Sequence, residues 1–184
     1  MNLSSSKMLN TSILIDKVVS TNNDRVADLG CGNFGYLVFP LAKRIGKHGR
    51  IYAIDIIKSS LDSIRRIAET ENLDQIETVW SDLEIFGGTK IKAESLDGIF
   101  IVSTLHQSDR YLNIIKEGVR LLKVGGKALI VEWNNDNSPF NTNESRRIKK
   151  EDLKKALKET SLKIIEEFEA SDHHYGILLI KDKN

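Results

Sequence analysis

Apolar runs of strand length alternate along the chain with stretches whose apolar residues recur at helical spacing. RVADL (25–29), RIYAID (50–55), QIETVW (75–80), LDGIFIVST (96–104) and KALIVEW (127–133) read as buried strands. Between them, YLVFPLAKRIG (36–46), SSLDSIRRIAET (59–70) and DRYLNIIKEGVRLLK (109–123) predict helices. A serine is placed to cap the second of these, and Gly125-Gly126 to close the third. TSILIDKVVS (11–20) predicts a leading helix and KEDLKKALKET (150–160) a last one. LKIIEEFE (162–169) and HYGILLIK (174–181) are the final strands, joined by a connection too short for a crossover. They should therefore pair antiparallel. The five earlier strands, each followed by a helix or loop, imply right-handed crossovers and a mostly parallel, doubly wound α/β sheet of seven strands.

Where the first strand ends, Asp28 to Gly35 reads DLGCGNFG, with glycines at G-x-G-x-x-G spacing. Such a turn lets a ligand approach the backbone where a Cβ would block it. Two cofactors use it: a nicotinamide dinucleotide and S-adenosylmethionine. Both want a carboxylate at the end of the second strand for the ribose hydroxyls, and Asp55 stands there. Asp28 separates them. A pyrophosphate at the turn would be repelled by a carboxylate, whereas a methionine end carrying an amine and a sulfonium is attracted. Asp82 follows the third strand, placed to accept from an adenine amino group, with Leu83 and Ile56 to sandwich the ring. The expected cofactor is thus S-adenosylmethionine, ahead of an NAD-dependent oxidoreductase.

Bulk properties narrow the class without changing this reading. With 184 residues the chain should form one domain (1–184), with a leading segment (1–24) and a polar candidate lid (134–148). The 27 Lys and Arg against 26 Asp and Glu leave +1, so charge gives nucleic-acid binding no support. The single cysteine, Cys31, permits no internal disulfide and fits a cytoplasmic protein. No apolar run reaches membrane length, and no motif specifies an oligomeric state.

VADLGCG, YAIDI, SDL, STLHQ, LLKVGGKALIVEW and HYGILLIK together resemble the class I S-adenosylmethionine-dependent methyltransferases. Within that class they resemble small members related to the ubiquinone and menaquinone biosynthesis (type 11) group. The resemblance runs from about Leu9 to Lys181. It implies a Rossmann-like sheet of order 3-2-1-4-5-7-6 with strand seven antiparallel. It places Asp28, Gly30 and Gly32, with Cys31 between the glycines, around the methionine end and Asp55 at the ribose. Asp82 and Leu83 fall at the adenine, and Ser103 lines the methionine side. Two departures stand out: the third glycine falls one place late, at Gly35, and Val124 replaces a common proline before Gly125-Gly126.

The implied activity is methyl transfer to a small-molecule acceptor, favouring oxygen or carbon; the alternative is a binder of the cofactor without transfer. His106, just past strand four, is the titratable candidate for a catalytic role. Trp133, Phe140 and Tyr175 join it as candidates for the acceptor pocket. Methyltransferases of amides and nucleobase amines resemble one another in an Asn/Asp-Pro-Pro-aromatic run after strand four, and this chain has only two prolines, Pro40 and Pro139. His173 and His174 are adjacent on a strand and face opposite ways, so no metal site is expected.

Overall fold

The computed structural model describes residues 9–134 and 147–183. Strands β1 (Arg25–Leu29), β2 (Arg50–Asp55), β3 (Ile76–Trp80), β4 (Leu96–Val102), β5 (Leu122–Trp133), β6 (Leu162–Ser171) and β7 (His174–Lys181) form one sheet. Its order is β3-β2-β1-β4-β5-β7-β6. β1 to β5 pair parallel, and β7 runs antiparallel to both β5 and β6. This is the architecture expected from the sequence.

Helices cover both faces, which is why the central strands are apolar at every position rather than at alternate ones. Val26, Ile51, Ala53, Phe100, Leu129 and Val131 pack under α1 (Thr11–Val18), α2 (Val38–Ile45) and α3 (Lys58–Thr70). Their neighbours in sequence, among them Ala27, Tyr52, Ile99 and Ile130, face α4 (Tyr111–Leu121) and α5 (Lys150–Leu157). Among the described residues no helix is long and apolar enough to cross a membrane.

Two local expectations are corrected. No serine caps α3: Ile57 is the capping residue, and its N–H is taken by Asp55 Oδ1 at 2.9 Å. Nor do Gly125 and Gly126 close α4, which ends at Leu121 with an extended Leu122. The glycines lie within β5, where the pairing with β4 shifts between Leu96 and Gly98. The helix stops early because Leu122 is already paired with Leu96. At the other end of the sheet, the β6–β7 turn is tighter than expected, since β6 runs on to Ser171.

Candidate functional site

The carboxyl ends of β1 to β4 surround a cavity of about 300 Å³. Its wall includes Gly30, Gly32 and Asn33 from the first turn, Asp55 and Ile56 from the second, and Asp82 and Leu83 from the third. Among the described residues three carboxylates, Asp55, Asp82 and Glu84, line it, and no lysine or arginine does.

The first turn is built by close packing. Gly30 has φ +86°, and a Cβ there would lie 2.5 Å from Thr104 Cγ2. Only glycine therefore lets the turn after β4 approach this closely. Gly35 answers a different demand: a Cβ on it would meet Phe39 Cε2 at 2.8 Å. The late third glycine thus serves the packing of α2 rather than the cavity.

Asp55 ties the first two turns together. Its Oδ2 accepts from Gly32 N and its Oδ1 from Ile57 N, both at 2.9 Å. Each oxygen keeps a second lone pair, so the carboxylate is held in place and still able to accept twice more. Asp28 lies below, in β1 beside Ala53 and Phe100, and is only 4% exposed. Burial, reinforced by the charge of Asp55, pushes its carboxyl up to about 7. Cys31 is buried too, and burial with Asp28 and Asp55 nearby pushes its thiol up, which leaves it unreactive near neutrality.

Asp82 Oδ1 accepts from Glu84 N at 2.9 Å, as a turn-capping aspartate does, while the residue lines the cavity. Trp80, which the sequence did not single out, is half exposed and braces the second turn. Its Nε1 donates to Ile56 O at 2.8 Å, and Lys58 Nζ stands 5.2 Å from its ring centroid. Asn33 accepts a hydrogen bond from Ser60 Oγ, linking the glycine turn to α3.

On the β4 side it is Thr104 that lines the cavity, with Ser103 one place behind it. Ser103 has φ +52°, a conformation costly for a residue with a Cβ. It persists because Ser103 N donates to Val131 O at 2.9 Å and Gln107 Nε2 donates to Ser103 O at 2.9 Å. His106 follows in a short 3-10 turn (Leu105–Gln107). It lines a second cavity of about 300 Å³, bordered also by Tyr111, Arg147 and Lys149. Ser108 lines both cavities, so the two adjoin.

Glu132, at the end of β5, is fully buried and was also missed from sequence. It accepts from Thr104 N and Leu105 N, at 2.9 and 2.7 Å, and lies 2.9 Å from His106 Nδ1. The remaining pocket candidates fall differently. Trp133 is half-buried with its ring 4.0 Å from that of His174, and its Nε1 has no partner among the described residues. Tyr175 is buried and donates to Ile148 O at 2.8 Å, a bond that anchors the chain before α5. Phe140 and most of the candidate lid lie outside the described residues. His174 Nδ1 is engaged with Ser171 Oγ at 2.8 Å.

Comparison with known proteins bears on the family and the fold. Over 112 residues the chain is 29% identical to an aklanonic acid methyltransferase of Streptomyces sp. (strain C5), covering 59% of this chain and 50% of that protein. Over 115 residues it is 26% identical to a demethylmenaquinone methyltransferase of Lactococcus lactis subsp. lactis (strain IL1403), covering 62% and 44%. The chain thus spans about half the length of the curated relatives it matches. Its fold is that of a SAM-dependent methyltransferase from Aquifex aeolicus, with TM-score 0.85 at 17% identity over 94% of this chain and 90% of the other. Residues 20–180 match the family model described as a methyltransferase domain, and the chain belongs to that family.

Proposed function

We propose that this protein transfers the methyl group of S-adenosylmethionine to a small-molecule acceptor, at oxygen or carbon. The observation that carries the reading is the charge of the first cavity: carboxylates line it, another lies beneath, and no cation among the described residues lines it to meet a pyrophosphate. When bound there, S-adenosylmethionine supplies an electrophilic methyl group. Asp28 with the Gly30–Gly32 turn holds its cationic end. Asp55 accepts from the ribose, Asp82 from the adenine amino group, and Ile56 and Leu83 flank the ring. Both relatives' names describe methylation of small organic molecules, which supports an acceptor of that kind. With no side chain demanding an oxidising compartment and Cys31 as the sole cysteine, the reading places the protein in the cytoplasm.

Thermal shift tests it. S-adenosylhomocysteine at a hundred times its dissociation constant stabilises the folded state by about 2.7 kcal/mol. For a chain of this size that raises the melting temperature by roughly 5–10 °C, and NADH at equal concentration leaves it unchanged. Stabilisation by NADH alone would sink the reading.

Asp28 adds a pH dependence of known sign. Its folded-state value, about 7, lies above the ordinary 3.8. Ionising it therefore costs stability, a cost that begins above pH 3.8 and is complete above pH 7. A bound cation offsets that cost, so affinity for S-adenosylhomocysteine, which keeps the ammonium, rises with pH through 7. Calorimetry at pH 6 and pH 8 should differ by about tenfold. Asp28→Asn should flatten the profile; an unchanged slope would assign it to another group.

A further inference from the structure

The turn that carries His106 is held from behind by a carboxylate with no access to water. Glu132 faces two backbone N–H groups and the His106 ring, and a buried carboxylate must have its charge met by such partners. A carboxylate only accepts, so the proton between Glu132 Oε2 and His106 belongs to Nδ1. The ring's other nitrogen, Nε2, is left with its lone pair. The His106 side chain is 14% exposed and lines the second cavity, which meets the first at Ser108. Glu132 also fixes Thr104, which stands against Gly30 in the first cavity. One buried carboxylate therefore sets both the imidazole and a wall of the proposed methyl-donor site.

The geometry points to His106 as the base of the transfer and Glu132 as its positioning residue, with an acceptor that must shed a proton: a phenol, an enol or a 1,3-dicarbonyl carbon acid. This rests on the methyl-transfer reading above. His106 Nε2 takes the acceptor's O–H or C–H proton, and the electron pair left on oxygen or carbon forms the new bond to the methyl carbon. The carbon–sulfur bond breaks with its pair passing to sulfur, whose positive charge is thereby cancelled. The proton on the imidazolium, steadied by Glu132 as it forms, then goes to water. An acceptor without an acidic proton, such as a thioether or tertiary amine, would leave this base without a task.

Titratable and charged groups face His106 from several elements. From β5 there is Glu132, and from the start of β7 His174, which burial, then His173 and His106, hold down at about 4. Asp109 and Tyr111 border it at the start of α4, and Arg147, Lys149 and Asp152 at α5. His174 is thus neutral at assay pH.

Two measurements on the full chain test the inference. Nitrogen-15 NMR of histidine-labelled protein at pH 8 should show His106 with its proton on Nδ1, a preference that Glu132→Gln abolishes. Transfer of tritiated methyl from S-adenosylmethionine into the small-molecule fraction of a cell extract should fall at least tenfold in His106→Ala at pH 7. The variant's rate should then climb with pH up to 9, as the acceptor ionises unaided, where the parent's levels off. S-adenosylhomocysteine binding by His106→Ala within twofold of the parent shows that the variant is folded. Labelling within twofold of the parent with the same pH profile, or a proton on Nε2, overturns the dyad and leaves methyl transfer standing. A parent that binds S-adenosylhomocysteine but labels nothing overturns both.

Discussion

A Glu117→Gln variant unfolds about 3 kcal/mol more easily than the parent at pH 7, a loss tied to one buried carboxylate. Glu117 sits in α4, fully buried, and accepts from Gly87 N at 2.7 Å and Thr89 N at 3.0 Å. Arg120 adds Nε at 2.8 Å and Nη2 at 2.7 Å, and also donates to Thr89 O and Ile91 O. Burial alone would raise the carboxyl, but the bonds from Arg120, Gly87 and Thr89 outweigh it and bring it down to about 2. The folded-state value is depressed from 4.5, so the stability it confers is fully present above pH 4.5 and is lost as pH falls through about 2. The amide neither carries the charge nor accepts at both atoms, and it leaves Arg120 facing a neutral group. Denaturant melts at pH 7 should show the midpoint falling, and the gap between variant and parent should narrow below pH 4.5. Equal midpoints at pH 7 would mean that the pair contributes nothing net. The loop from Asp82 to Ile91, one wall of the first cavity, hangs on this carboxylate, so affinity for S-adenosylhomocysteine should fall with stability.

Glu117 also marks where reading from sequence stops. The strands and their directions were legible because each buried strand is a continuous apolar run and each connection has a length that permits a crossover or a hairpin but not both; their order was implied by the family resemblance alone. The positions of Asp28, Asp55 and Asp82 at the carboxyl ends of β1, β2 and β3 were legible because a residue at or near a strand's end has its place fixed by the strand. Thr104 and Ser103 differ by one position at such an end, and the positive φ of Ser103 decides which reaches the cavity. Nothing local encodes that. Glu117 and Glu132 lie farther out of reach: the backbone donors to Glu117 stand 28 to 30 residues away, and the partners of Glu132 26 to 28. An acidic residue within an amphipathic helix or at a strand end reads as solvated unless the turn packed on it is known. The missing serine cap of α3 has the same origin: the helix begins before the serines, at a cap residue, Ile57, whose own N–H Asp55 holds.

Replacing Asp55 by Ala should raise the dissociation constant for S-adenosylhomocysteine on the order of a hundredfold, about 2.7 kcal/mol. Two losses combine. The first is the pair of charged hydrogen bonds that the proposed ribose would make to the lone pairs left over on Oδ1 and Oδ2. The second is order in the empty site: without the carboxylate, Gly32 N and Ile57 N lose their partner, and the turns after β1 and β2 are no longer tied to each other. Asp55→Asn distinguishes them. An amide keeps one acceptor, so its NH2 group must confront either Gly32 N or Ile57 N, donor against donor. If the ribose bonds dominate, Asn should retain a good part of the affinity through its remaining oxygen. If the tie between turns dominates, Asn should lose nearly as much as Ala, and thermal melts of the unliganded variants should drop together. The geometry favours the second outcome, since both oxygens are already committed to backbone before any ligand arrives. Calorimetry on both variants, with Asp82→Ala as a control that leaves the tie intact, decides it. A dissociation constant within threefold of the parent for Asp55→Ala would remove Asp55 from the proposed cofactor site altogether.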